Sequence, residues 1–177
     1  MYAVDGLDEV VERRDLPLPD PGAPEPLVVA SERRVVLEYR VRGVWPGQMG
    51  AGGRMILPED VPDGYDPVAF VEFDRTRAHF LGSPNDEAIA GLPLAARGLR
   101  PYGIYEIRNS SWIRSLEKMN RVHPMHSPAG FSRLQHFIFT FHDSTFECVA
   151  EGVRGKELNR TDPEFLQAML GFFGTPP

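Results

Sequence analysis

The chain has 177 residues, 42% hydrophobic and 25% charged, with a formal net charge of -6. Those values describe a globular chain able to close its own core, and they exclude a disordered or fibrous class. No basic run marks a nucleic-acid surface, and no apolar run nears the roughly 20 residues that span a bilayer.

Neither a nucleic acid nor a membrane is therefore an expected partner, whereas a small-molecule ligand or a second copy of the chain is compatible with the composition. Cys148 is the single cysteine. It excludes an internal disulfide and a cysteine-based zinc site, and with the acidic start (Asp5, Asp8, Glu9) it points to a reducing, cytoplasmic setting. The two lysines among 19 basic residues carry no functional reading.

Residues 1–26 read as an extended arm, with either a helical turn or an edge strand before the proline-rich stretch at 15–26, where φ is fixed and donors are missing. From Leu27 the pattern becomes β: LVVA, a polar turn, then a strand in which Val35, Leu37, Tyr39 and Val41 alternate with Val36, Glu38, Arg40 and Arg42. The glycine-rich GQMGAGGRM lacks the Lys-Ser/Thr of a phosphate loop and reads as a flexible turn, with a short strand possible at 54–57. VAFVEF at 68–73 is apolar enough for a central strand, and RAHFLG continues it or pairs back onto it.

Residues 82–102 combine a helix-start signal with the breakers Gly91 and Pro93, predicting short helical turns inside a long loop that is a candidate lid. GIYEIR at 103–108 is a strand. Asn109-Ser110-Ser111 then caps a helix over about 111–122, whose stripe is Trp112, Ile113, Leu116 and Met119. A second helix at 162–173 carries Pro163 in its first turn and Phe165, Leu166, Met169 and Leu170 as its stripe.

The strongest signal is the hairpin Leu134–Val153. A loop of two or four residues around His142-Asp143-Ser144-Thr145 pairs Phe141 with Phe146, Thr140 with Glu147 and His136 with Glu151. Phe137, Phe139, Phe141, Phe146, Cys148 and Ala150 then share a buried face, and the polar residues share the other. The sum is an α+β fold: a largely antiparallel, curved or barrel-like β-sheet of about six to eight strands, with two main helices packed on one side. One domain is expected, with the sheet core at 27–153.

Three constellations are candidates for chemistry. On the polar hairpin face, His142 and Glu147 are diagonal neighbours at roughly 7–8 Å and form a candidate acid–base pair, with Thr140 and His136 as ligand contacts. His136 and His142 lie about 20 Å apart along one strand and cannot share a metal. His123 and His126, with His79, form a weak metal-ligand set, because two histidines around Pro124 are too few. Arg97 and Arg100 in the long loop, with Arg114 and Arg121 on the helix, suit carboxylates or phosphates.

No cofactor is specified by these residues, and Gly-x-Ser-x-Gly is absent. The expectation is a small-molecule-binding domain, with a possible enzymatic role for the His/Glu pair beneath the 82–102 loop. The rival is a non-catalytic interaction or homo-oligomeric module that exposes Phe172 and Phe173.

Overall fold

The computed structural model describes residues 3–43 and 45–174; the side chains of Ala51 and Phe173 lie outside what is described. Nine strands among them form two open antiparallel sheets. The first sheet runs in the order β1 (Glu9–Glu12), β6 (Ile104–Arg108), β7 (Gln135–Thr140), β8 (Thr145–Ala150) and β5 (Ala78–Gly82). The second runs β2 (Leu27–Ala30), β3 (Arg34–Arg40), β4 (Pro67–Asp74) and β9 (Gly152–Asn159). The α+β class and antiparallel pairing are as expected, but two stacked sheets replace the single curved or barrel-like one.

Alternation explains the stacking. Val35, Leu37, Tyr39 and Val41 of β3 and its continuation, with Ala69, Val71 and Phe73 of β4, face Phe137, Phe139, Phe141, Phe146, Cys148 and Ala150 of the hairpin. Phe73 sits among three hairpin rings, 5.8 Å from those of Phe137 and Phe139 and 5.4 Å from that of Phe146. Offset and edge-on packing of this kind adds to the burial of large apolar area. Tyr39 closes one end of the cluster and donates its hydroxyl to the Pro17 carbonyl at 2.5 Å, which ties the proline-rich arm to the core. The arm also supplies β1 as an edge strand.

Each sheet buries part of its outer face as well. α2 (Pro163–Gly174) lies on the second sheet, where Phe165, Ala168, Met169 and Phe172 meet Val36, Val68, Phe70 and Leu158. α1 (Ser111–Asn120), capped by Ser110 accepting the Ile113 N–H, lies against β7 of the first sheet, with the Trp112 ring edge-on to His136. The helices therefore occupy opposite outer faces, not one side. The reason is the residue parity of β4 and β7, in which both faces are apolar enough to demand cover.

The sheets are joined by one bent ribbon. β4 runs through residues 75–77 into β5 while β8 runs through Glu151 into β9, so the same antiparallel pair belongs to both sheets. The register changes by one residue across the bend, Asp74 facing Gly152 and Ala78 facing Val149. An extra residue on one strand is the device by which strands turn a corner between sheets. Arg75 takes φ 50° there. This corner was not legible from the sequence, and neither was β9, whose GVRGKELN lacks an apolar alternation.

Candidate functional site

The hairpin keeps the predicted faces but not the predicted pairing. Phe139 faces Phe146, Ile138 faces Glu147 and His136 faces Val149, a slip of two residues. The Phe141 N–H donates to the Ser144 carbonyl at 2.8 Å, so the loop is the two-residue His142-Asp143. A slip of two leaves every side chain on its own face, so the hydrophobic pattern does not forbid it. The turn decides, and it tightens because Phe141 packs on Tyr39, ring centroids 5.3 Å apart, inside the core.

That slip dismantles the proposed His142–Glu147 pair. Glu147 Oε2 instead meets His136 Nε2 at 3.2 Å, and His136 Nδ1 lies 2.9 Å from Ser110 Oγ. All three residues are buried, His136 completely. Ser110 Oγ accepts the Ile113 N–H, so its own hydrogen is directed at Nδ1, leaving Nε2–H to donate to Glu147. This is an interior network that anchors α1 to β7, with His136 and Glu147 both buried in it.

Thr140 is spent in the same way: its hydroxyl donates to the Arg100 carbonyl at 2.8 Å and accepts the Gly103 N–H at 2.9 Å. The 82–102 segment does form two short 3-10 turns, at Ile89–Gly91 and Pro93–Arg97. Ile89, Leu94 and Leu99 pack on Tyr105, Ile107 and Ile138, so the segment is an apolar cover on the first sheet. Arg97 donates to the Asp8 carbonyl at 2.6 Å, and Arg100 to those of Ala95 and Leu99 at 2.7 and 2.8 Å. Both arginines hold backbone.

The remaining histidines disperse. His126 Nε2 meets Glu117 at 2.9 Å on α1, and His123 Nδ1 accepts the Met125 N–H at 3.0 Å, while His79 lies exposed on β5. No three His, Cys, Asp or Glu side chains gather as a metal-binding group among the described residues. Cys148 is buried, and desolvation pushes its thiol up to about 12.

His142 has its own carboxylate. Asp86 Oδ2 lies 2.9 Å from His142 Nδ1, and the Tyr102 hydroxyl donates to the same oxygen. The hydrogen bond to Asp86 raises the imidazole pKa, while the Tyr102 and His142 contacts hold the Asp86 carboxyl below its usual range. Donation to Asp86 pushes the Tyr102 phenol up to about 12. The chemistry is that of an oriented imidazole. The Asp86 N–H also donates to the His142 carbonyl at 2.9 Å, so the cluster fastens the 82–102 cover to the hairpin tip.

A charged cavity lies elsewhere, along the outer face of the second sheet where α2 stops and the ribbon turns its corner. This groove of about 1010 Å³ is lined by seven cationic side chains and three carboxylates, an excess of four positive charges. Three cations are engaged on the sheet floor: Arg154 with Glu72 and Asp74 at 2.9 and 2.5 Å, Lys156 with Glu164 at 2.7 Å, and Arg34 stacked over Phe172 at 5.0 Å.

The other four, Arg33, Arg75, Arg77 and Arg133, stand at the corner. Arg75 and Arg133 share one carboxylate, Glu151, at 3.3 and 3.4 Å. Arg33 and Arg77 make no ion pair among the described residues. The Thr76 N–H donates to the Arg33 carbonyl at 2.8 Å, which sets the β2–β3 turn beside the corner.

Sequence reasoning missed this groove because its residues come from five separate segments. The available signal was the strand parity that puts Glu72, Asp74, Arg154 and Lys156 on the face opposite Phe73. No family model, curated protein or solved structure matches the chain.

Proposed function

We propose that this protein binds a small anionic ligand in the arginine-lined groove at the corner between its two sheets. The observation that carries the reading is a local inversion of charge: an excess of four positive charges in one groove of a chain whose formal net charge is -6. Gathering like charges raises the free energy of the folded state unless an anion sits among them. The groove is also of the size that small-molecule sites have. Its lining includes no histidine, so the reading is recognition and carries no acid–base step.

Calorimetric titration at low ionic strength with pyrophosphate, tripolyphosphate and citrate tests this. The expected result is submillimolar binding of at least one of them, abolished in the double variant Arg33→Glu/Arg77→Glu, which retains its circular dichroism. Binding unaffected by that double variant, or no binding of any of the three, refutes the reading.

Self-association through α2 is the second reading, now without Phe172, which is buried. It is favoured by Leu166 and Leu170, a helical turn apart and 59% and 58% exposed. Light scattering that returns a monomer mass at all concentrations removes it.

A further inference from the structure

We infer that the corner end of the groove is a phosphate-group subsite, so that the ligand is a small organic phosphate or polyphosphate; this rests on the anion-binding reading above. Four arginines face one carboxylate there, an excess of three positive charges concentrated at one end of the cavity. They arrive from three directions: Arg33 from the β2–β3 turn, Arg75 and Arg77 from the ribbon corner, and Arg133 from the segment before β7. A carboxylate offers two oxygens in one plane and satisfies one or two guanidinium forks. A phosphate offers three oxygens in a tetrahedral array and accepts from forks that approach along separate directions.

Glu151 holds the place of the ligand. Its two oxygens bridge Arg75 and Arg133 at 3.3 and 3.4 Å, longer than the roughly 2.7–2.9 Å of a close charged hydrogen bond. Both guanidiniums are largely exposed, at 68% and 62% of their side-chain surface, so the pairs are slack and readily exchanged. A phosphate entering the corner takes over these two arginines and adds Arg33 and Arg77, which make no ion pair among the described residues. The rest of the ligand then runs over the Glu72–Arg154 floor toward Ala168 and Gly171 on α2, where small residues leave room for it. Gly171 has open space around the position a Cβ would take.

Calorimetry with inorganic tripolyphosphate, citrate and a single-stranded DNA oligonucleotide, at one low ionic strength, decides this. Tripolyphosphate is expected to bind at least tenfold more tightly than citrate. Its affinity is expected to fall about tenfold in Arg33→Ser and again in Arg77→Ser, and to rise several-fold in Glu151→Gln, where the placeholder charge is gone. Arg108→Ser, on β6 outside the groove, is expected to leave it unchanged.

Citrate binding as tightly as tripolyphosphate overturns the phosphate subsite and leaves the anion-binding groove standing. Absence of binding by either small anion overturns both. An oligonucleotide that binds while tripolyphosphate does not assigns the groove to nucleic acid and overturns the small-phosphate inference. Weaker or unaltered binding in a folded Glu151→Gln protein overturns the placeholder role and the subsite with it.

Discussion

Glu147→Ala removes the acceptor from a histidine that has no access to water, and its cost follows from the geometry. His136 is fully buried with Nε2 3.2 Å from Glu147 and Nδ1 2.9 Å from Ser110, and the Trp112 ring closes the space beside it at 5.1 Å. After truncation Nε2–H faces a hole where a carboxylate stood. Breaking a buried pair by deleting one partner costs about 3–5 kcal/mol, most of it the desolvated group left behind. For a chain of this length that is a fall in Tm of about 10 °C, at 2–4 °C per kcal/mol.

Urea unfolding is the assay, read as a lower midpoint with the m-value unchanged. Glu147→Gln keeps an acceptor and is expected to lose about half as much. The double variant Glu147→Leu/His136→Leu is expected to recover part of the loss, since it removes the buried donor and acceptor of the pair together and leaves the Ser110 hydroxyl without its Nδ1 acceptor. A Glu147→Ala protein within about 1 kcal/mol of wild type, or a strictly additive double variant, refutes the claim that the two residues act as one interior network.

The cover over the first sheet is expected to loosen with pH in a definite direction. The folded-state pKa of His142 is raised, so the contact with Asp86 contributes fully below the unfolded value of about 6.5 and is lost as pH rises through the folded value. The Asp86 carboxyl is lowered, so its share is present above its unfolded value and is lost as pH falls through the folded one. Amide exchange across 82–102 is expected to quicken above neutrality in wild type and to show no such step in Asp86→Asn; equal profiles contradict this.

Phe73→Ala, which empties the centre of three hairpin rings, is expected to cost about 3–5 kcal/mol in urea unfolding. Cys148, with its thiol pushed up to about 12, is expected to react with a thiol reagent only at the rate of unfolding. Rapid labelling of the folded protein speaks against its burial.

The sequence carried the parts of this fold that rest on period. Alternation in β3 and in the hairpin placed Val35, Leu37, Tyr39, Phe137, Phe139 and Phe146 in the core, and Pro163 and Ser110 marked where α2 and α1 begin. What escaped rests on distance along the chain. The hairpin register slipped by two because a two-residue slip changes no face, and so His142 drew Asp86 from 56 positions away while Glu147 drew His136.

The division into two sheets depends on a single bent ribbon at residues 75–77 and 151, where Gly152 alone, with no proline beside it, is too weak a sign to announce a corner. The α2 stripe was half right: Phe165 and Met169 pack inward, but Phe172 replaces Leu166 and Leu170 in the contact. The arginine groove was invisible because the arginines that line it lie in four separate segments, and only strand parity after folding brings them to one place.

The central claim is that the corner groove is where a ligand binds, and the most direct measurement is an amide NMR titration with tripolyphosphate. Saturable shifts confined to residues 33–34, 72–77, 133 and 151–156, with the resonances of His136, His142 and the 82–102 cover unmoved, are what this account predicts. Shifts centred on His142 and its neighbours, or a spectrum indifferent to the anion, contradict it.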